Sequence, residues 1–255
     1  LPPRANRLDP GCLQLGEQAF DPTHRRCALT VLVHILSELG RRLGEDCQRS
    51  PRSRCAFVLS GPSGGGKTTL AQVLLAQVPA LRRTVSVTTR PPRHSERPGA
   101  DYHFISAQAF TRLRRQGRLL EWARVHGAYY GTPRAEVERA WRRRHDALLC
   151  IDVQGARQVR RRLGRTAVLI FLLPPSLEDL KRRLQQRRTE SADAIGARLR
   201  VARRELACVR WYDYAVVNQR VDEASKQLAA IVAAERLRAD RQTEQGRAPA
   251  ALGIP

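Results

Sequence analysis

The sequence predicts an α/β fold in which a parallel β-sheet is covered by helices on both faces. Two observations support this prediction: strand-like and helix-like segments alternate from Cys55 onward, and the first apolar run leads directly into a glycine-rich loop. The chain has 255 residues, of which 42% are apolar. This length suits one sizeable core, or a core with a small inserted domain.

Four apolar runs predict the core strands, at residues 55–60, 147–152, 166–172 and 214–218. Helices are predicted between them. The first covers residues 68–78, where apolar side chains recur at helical spacing. Ser176, three residues before Asp179, predicts a capping box that opens a helix reaching Gln186. A final helix is predicted over residues 222–241.

Residues 84–135 break this alternation. Short strands are predicted at residues 84–87, 102–105, 119–125 and 129–132, with proline and glycine turns between them. This pattern indicates a small mixed-β insertion on the sheet. Residues 1–54 form an N-terminal extension of unknown function, in which residues 28–39 predict an amphipathic helix packing on the main body.

The net charge of +22 and the pI of about 11.3 would ordinarily favour a nucleic acid or membrane partner. Only three of the 46 basic residues are lysine, however, and the arginines are spread over the whole chain. This indicates a compositional bias laid over an ordinary enzyme, so we expect no nucleic acid partner. No apolar run is long enough to span a membrane.

Six cysteines show no C-x-x-C pair and no regular spacing, which argues against a zinc site or a disulfide framework. We therefore expect a reduced compartment. The predicted localisation is the cytoplasm, with an organelle as the alternative. The sequence does not determine the oligomeric state.

The glycine-rich segment fits the pattern G-x-x-x-x-G-K-[ST] and indicates a P-loop NTPase-type core. Its glycines allow backbone N–H groups to face an anion, and the following helix adds the positive end of its dipole. The expected ATP-binding residues of the segment are Gly61, Pro62, Ser63, Gly64, Gly65, Gly66, Lys67 and Thr68. Lys67 can reach the β- and γ-phosphates, and the Thr68 hydroxyl can ligate Mg²⁺.

Five further motifs carry a resemblance to a known family. They are Ser86-Val-Thr-Thr-Arg-Pro-Pro-Arg93, Asp101-Tyr-His-Phe104, Glu121-Trp-Ala123, Tyr129-Tyr-Gly-Thr-Pro133 and Ile151-Asp-Val-Gln-Gly-Ala156. In order and spacing, the chain resembles guanylate kinase over about residues 55–240. The resemblance implies ATP + GMP → ADP + GDP, a core at 55–85 and 133–241, a GMP-binding insertion at 86–132, a helical lid at about 185–200, and a C-terminal tail at 242–255.

Two arginines are candidates for holding the acceptor phosphate. Arg90 and Arg93 lie three residues apart on a proline-stiffened segment, so two guanidinium forks can meet one phosphate. The resemblance implies that Tyr102 and Tyr130 supply phenols that hydrogen-bond the same group.

Glu121 is the candidate that reads the base. A carboxylate presents two acceptors that match guanine N1–H and the exocyclic amine, whereas adenine offers no donor at either position. A wrong base would leave the carboxylate unpaired, at a cost of about 1–3 kcal/mol or more. The resemblance implies that Ser86 and Thr132 complete the base pocket and that Asp152 contributes to the GMP site.

The resemblance also assigns the donor side. It implies that Arg183, Arg187 and Arg198 are lid arginines that fold over the ATP phosphates, and that Asn218 contacts the adenine. Arginines from a mobile lid suit a transfer that depends on positioning and charge neutralisation. The cofactor expected is Mg²⁺, held by Thr68 and, through water, by Asp152.

Three residues depart from the family pattern. Cys150 stands where many relatives carry an acid, which leaves Asp152 as the carboxylate near Mg²⁺; Arg188 and Ser95 replace common glycines. Two other functions stay open at this stage. One is another small-molecule kinase on this fold, such as a ribose bisphosphate kinase, and the other is a non-catalytic guanylate-kinase-like module that binds proteins.

Overall fold

A computed structural model describes residues 54–94, 96–125, 127–186 and 192–243. Its strands, in chain order, are β1 (Ala56–Ser60), β2 (Leu81–Arg83), β3 (Ser86–Thr88), β4 (Tyr102–Phe104), β5 (Leu119–Val125), β6 (Ala128–Pro133), β7 (Asp146–Cys150), β8 (Ala167–Leu173) and β9 (Tyr214–Val217).

The α-helices of the same part of the chain are α1 (Lys67–Gln77), α2 (Ala107–Arg115), α3 (Arg134–Arg142), α4 (Val153–Leu163), α5 (Leu177–Gln185), α6 (Ala192–Leu206), α7 (Val221–Arg236) and α8 (Ala239–Thr243). Two short 3₁₀ helices, Gly164–Thr166 and Ala207–Trp211, precede β8 and β9.

The main sheet has five parallel strands in the order β2-β7-β1-β8-β9. The predicted α/β fold with a parallel core sheet is confirmed, and the four predicted core strands agree with β1, β7, β8 and β9 to within two residues. Strand β2 was missed. It has three residues, of which only Leu81 is buried, so it gives no apolar run to recognise.

Alternate residues of the central strand β1 face opposite layers of core. Phe57 and Leu59 pack with Leu74 of α1 and Leu228 of α7, whereas Ala56 and Val58 belong to the cluster on the other face. That second cluster includes apolar residues of α3 and α4. All five residues of β1 are buried, as a central parallel strand covered on both faces requires.

The insertion is a second sheet with the strand order β4-β3-β6-β5. Strand β3 pairs in parallel with β4 and antiparallel with β6, which makes this sheet mixed, as the sequence indicated. It is tied to the core through α4. The side chain of Gln158 donates to the backbone oxygen of Trp122 at 2.6 Å, and Arg162 donates to that of Leu119 at 2.9 Å.

The predicted N-cap is confirmed: the Ser176 hydroxyl caps α5 by accepting from the Asp179 backbone N–H at 2.9 Å. The Asp179 carboxylate accepts from the Ser176 hydroxyl at 2.8 Å, which differs from the reciprocal backbone bond of a capping box. The single final helix was wrong, because the chain leaves the helix at Leu237 and resumes as α8. The turn lets Arg241 fold back, where its guanidinium contacts Glu235 at 2.8 Å and donates to the distant backbone oxygen of Arg165 at 3.2 Å. These tertiary contacts override a segment that contains neither proline nor glycine.

Several expectations fall outside the described residues, namely the helix at 28–39, Ser95, Arg187, Arg188 and most of the tail at 242–255. The domain boundaries given above stay a prediction. Among the helices that the structure describes, none has the length and apolarity needed to cross a bilayer.

Candidate active site

The glycine-rich loop connects the end of β1 to the start of α1, in close contact with the strands beside it. Gly61 has φ +144°, and a Cβ there would lie 2.5 Å from the backbone oxygen of Leu172. Gly66 has φ +91°, and a Cβ there would collide with the side chain of Asn218. Both positions therefore require glycine, because larger residues would force the loop off the sheet.

The loop ends at a helix start that is suited to an anion. Gly66 is the N-cap of α1 and provides no side chain to cap the first N–H groups, and the first turn contains no acidic residue. Thr68 is exposed in this turn. The Lys67 ammonium donates to the backbone oxygens of Gly61 at 2.6 Å and Pro62 at 3.0 Å, which places its charge over the loop.

The arginine site lies on the insertion, across the cleft. Arg90 donates from Nε to the Tyr130 hydroxyl at 3.0 Å, and its guanidinium lies 5.3 Å from the Tyr102 ring centroid. Arg93 also lines the cleft, with 58% of its side chain exposed. Arg90 is additionally bonded through both Nη atoms to Glu96, at 2.7 and 2.6 Å. No motif of the sequence indicates a role for Glu96.

Glu121 is buried at the inner end of the insertion, with 2% exposure. Its Oε1 accepts a 2.6 Å hydrogen bond from the Thr132 hydroxyl, which lies 3.2 Å from that of Ser86. Gly155 of α4 lies directly behind Oε2, where a Cβ would collide with the carboxylate. Burial raises the pKa of Glu121 to about 7 and outweighs the opposing hydrogen bond from Thr132.

Asp152 follows β7 and caps α4. Its Oδ1 accepts from the Gly155 backbone N–H at 2.8 Å, and burial raises its pKa. Asp152 and Thr68 both line the cleft. Within the described residues, no three His, Cys, Asp or Glu side chains are grouped to hold a metal. A hydroxyl and one carboxylate suit Mg²⁺, which commonly takes its other ligands from phosphate and water.

One face of α6 completes the wall of the cleft with Arg198, Val201 and Glu205. Glu205 was missed by the sequence analysis. Burial raises the pKa of the Glu205 carboxyl to about 7, and the positive charge of Lys67 opposes that rise. The only signal for Glu205 was its spacing of seven residues from Arg198, which places both on one helix face once that face is known.

Some expected residues lie near the cleft but do not line it. Arg183 donates from Nη2 to the backbone oxygen of Asn218 at 2.9 Å, and the Asn218 side chain is buried beneath the loop, donating to Gly65 at 2.8 Å. The bond from Arg183 to Asn218 holds the Arg183 side chain beside the end of β9. Pro62, Gly65 and Thr132 are buried behind the surface of the cleft.

The other expected residues of the described chain share one cleft. They are Gly61, Ser63, Gly64, Gly66, Lys67, Thr68, Ser86, Arg90, Arg93, Tyr102, Glu121, Tyr130, Asp152 and Arg198. The cleft also holds Cys150, whose thiol has its pKa raised by burial. Because the loop and the arginine pair face the same space, the fold and site define a P-loop kinase, a protein that moves a phosphoryl group between two bound molecules.

Comparison with known proteins narrows this class. The family model for guanylate kinase matches residues 53–235. A guanylate kinase from Syntrophotalea carbinolica is 44% identical over 197 residues, which cover 77% of this chain and 93% of the relative. One from Rhizobium meliloti is 49% identical over 186 residues, covering 73% and 85% of the two chains.

A solved structure gives the same result. The crystal structure of guanylate kinase from Anaplasma phagocytophilum superposes with a TM-score of 0.64 at 34% identity, and the match covers 74% of this chain and 90% of that one. The chain belongs to the guanylate kinase family. The resemblance inferred from the motifs is thereby confirmed.

Proposed function

We propose that this protein catalyses ATP + GMP → ADP + GDP. The observation that carries the proposal is the buried Glu121 carboxylate, which shares one cleft with the phosphate-binding loop and the arginine pair. Family membership supports the same reaction, since the relatives are guanylate kinases.

The acceptor is bound at two points. Guanine donates from N1–H and its amine to Glu121, whose orientation is set by Thr132 on one oxygen and by the closeness of Gly155 to the other. The phosphate of GMP lies against Arg90, Arg93, Tyr102 and Tyr130. Holding both ends fixes the direction of the attacking phosphate oxygen, which supplies part of the rate enhancement.

The donor lies on the loop, with its phosphates over the N-terminus of α1. Lys67 exchanges its bonds to Gly61 and Pro62 for phosphate oxygens and neutralises charge as the phosphoryl group moves. Magnesium, when bound, neutralises further phosphate charge, and we assign its protein contacts to Thr68 and Asp152. We assign Asn218 to support of the loop as well as to the adenine side.

The lid excludes water, so that phosphate passes to GMP and not to solvent. Arg198 already faces the cleft from α6. Arg183 must exchange its bond to the Asn218 backbone for a phosphate to take the predicted role, and Arg187 is assigned by resemblance alone.

We place the reaction in the cytoplasm, within purine nucleotide metabolism, with no nucleic acid partner.

A coupled ADP-release assay with purified protein tests the proposal. We expect turnover with GMP and far less with AMP, and Lys67→Ala should lower kcat by about a hundredfold or more without changing the fold. Comparable rates for AMP and GMP would contradict the base assignment. GMP binding without turnover would favour a non-catalytic protein-binding module, and failure to bind GMP would favour another small-molecule kinase.

A further inference from the structure

Glu96 lies inside the arginine site, where a negative charge opposes the binding of a phosphate. Its carboxylate accepts from Arg90 Nη1 and Nη2 at 2.7 and 2.6 Å, and from the Arg93 backbone N–H at 2.9 Å. The Arg93 guanidinium is 3.9 Å away. The side chains of Arg90 and Glu96 are only 15% and 14% exposed. Because both side chains are mostly buried, exposure to solvent does not explain why a carboxylate lies beside these arginines.

The reason lies in how the Arg90 donors are distributed. A guanidinium has five N–H groups. Four have partners here: Nε donates to the Tyr130 hydroxyl, Nη1 to the Pro91 backbone oxygen and to Glu96, and Nη2 to Glu96. Among the described residues, the fifth, on Nη2, has no partner.

That remaining N–H lies on the same side of the guanidinium as Nε, next to the Tyr130 hydroxyl. Because Tyr130 accepts from Arg90, its own proton is available to donate. One arginine N–H and one tyrosine O–H are therefore available side by side, on two residues that both line the cleft.

We propose that Glu96 is a positioning residue for the acceptor phosphate: by occupying the terminal Nη1–Nη2 edge of Arg90, it presents the side edge, together with Tyr130, to GMP. This inference rests on the proposed function and adds a residue to it. The Arg90 hydrogen bonds hold the pKa of Glu96 below its usual range, so the carboxylate stays ionised at neutral pH.

Direct titration of GMP by calorimetry, without ATP, tests the inference. Glu96→Gln keeps the size of the side chain but removes its charge, and we expect it to weaken GMP binding by about tenfold, a loss typical of a charge-assisted bond. Glu96→Asp keeps the charge and should recover part of the affinity. Glu138→Gln, which removes a carboxylate 3.8 Å from Arg142 on the exposed side of α3, is the matched control and should bind GMP as the unchanged protein does.

A double-mutant cycle separates positioning from a general structural role. When Arg90→Ala removes the partner, Glu96 is left as a repulsive charge beside the phosphate, so adding Glu96→Ala should restore affinity instead of reducing it. A structural role predicts the same loss in both backgrounds, accompanied by a lower Tm. The inference is wrong if Glu96→Gln binds GMP within about twofold of the unchanged protein, or if Glu96→Ala costs the same with and without Arg90. If the unchanged protein itself fails to bind GMP, the proposed function is wrong instead.

Discussion

Glu121 shows how one residue can join recognition to protonation. Without substrate, its ionised form is buried and receives one side-chain hydrogen bond, from Thr132, so burial dominates and the pKa rises to about 7. In the proposed complex, guanine brings two N–H donors to the same carboxylate and favours its ionised form. The proposed binding of GMP is therefore coupled to release of a proton.

The first prediction is that GMP recognition depends on pH near neutrality. Because the raised pKa leaves Glu121 mostly protonated below about 7, and a protonated carboxyl offers one acceptor fewer, kcat/KM for GMP should be level above about pH 8 and fall as pH decreases from there to 6.5. The measurement is kcat/KM for GMP at saturating ATP across this range.

Glu121→Gln supplies the control for this pH series. A glutamine does not titrate, so the part of the profile that belongs to Glu121 should disappear, at a lower kcat/KM than that of the unchanged protein. Any dependence that remains belongs to other groups of the cleft such as Glu205, whose pKa is also raised to about 7. A flat profile for the unchanged protein would show that Glu121 is fully ionised before GMP arrives.

At the scale of the residue, a site residue could be predicted from the sequence when its side-chain type and its position in a motif were enough to indicate its chemistry. Arg90 and Glu121 were found because a motif fixes their spacing and because guanine needs two acceptors. Glu96 and Glu205 were missed for a different reason. Their positions depend on the path of a loop, for Glu96, and on which face of α6 meets the cleft, for Glu205. In the sequence, an acidic residue among arginines is expected to be exposed to solvent.

The start of α4 performs two tasks at the scale of the element. Asp152 lies two residues after β7 and caps the helix through Gly155, and the residue also lines the cleft. A cap needs only an acceptor oxygen, whereas a divalent cation or its bound water is held more strongly by a charged carboxylate than by a neutral amide. The two tasks can therefore be separated by substitution.

The second prediction uses this difference. Asp152→Asn keeps an oxygen for the cap, so the free energy of unfolding should stay nearly unchanged while kcat falls. Asp152→Ala removes both, and should lower kcat and also lower stability by about 1 kcal/mol. Urea unfolding and steady-state assays at varied Mg²⁺ concentration provide the two measurements. Equal stability losses in both variants would contradict the cap assignment, and an unchanged kcat in Asp152→Asn would contradict the metal assignment.

Elements were predictable where burial is continuous. Strands β1 and β8 are apolar along almost their whole length, and such runs indicate a buried strand of a parallel sheet. Strand β2 was missed because two arginines follow its single buried leucine. The break at Leu237 has no proline or glycine to mark it, and it accompanies a bond from Arg241 to the distant backbone oxygen of Arg165.

At the scale of the whole molecule, a buried ion pair connects α7 to the centre of the sheet. Asp146 is fully buried at the start of β7, where Oδ2 accepts from Arg236 at 2.8 Å and Oδ1 from the Cys55 backbone at 3.0 Å. Arg236 also donates to the backbone oxygens of Pro79 and Ala80 at 3.1 and 3.3 Å. The pair thus joins four segments that are distant in sequence.

The third prediction concerns this pair. Arg236→Ala leaves a buried carboxylate without its charge partner, and should lower the free energy of unfolding by about 3–5 kcal/mol. Arg220→Ala is the control, because it removes an exposed arginine at the other end of the same helix, and we expect no measurable loss. Denaturant unfolding measures both. Similar losses in the two variants would show that the buried pair adds nothing particular to the fold.

The high arginine content is partly used inside the protein. Arg162, Arg236 and Arg241 all donate to backbone oxygens of other segments, where lysine could not provide the same planar set of donors. This use fits the prediction of a compositional bias instead of a nucleic acid partner. That prediction is checked by filter binding, in which tight and salt-sensitive affinity for RNA or DNA would contradict it.

Gly155 has a consequence for any attempt to change the base that this protein accepts. The glycine lies against the Glu121 carboxylate, to which we assign the base, and its N–H donates to Asp152, to which we assign magnesium. A redesign toward adenine could replace Gly155 with a larger residue in order to displace Glu121. Such a substitution would also shift Asp152, because Asp152 accepts from the Gly155 backbone N–H. Selectivity and turnover should therefore change together in such variants, and a second compensating substitution in α4 would be required to recover the rate.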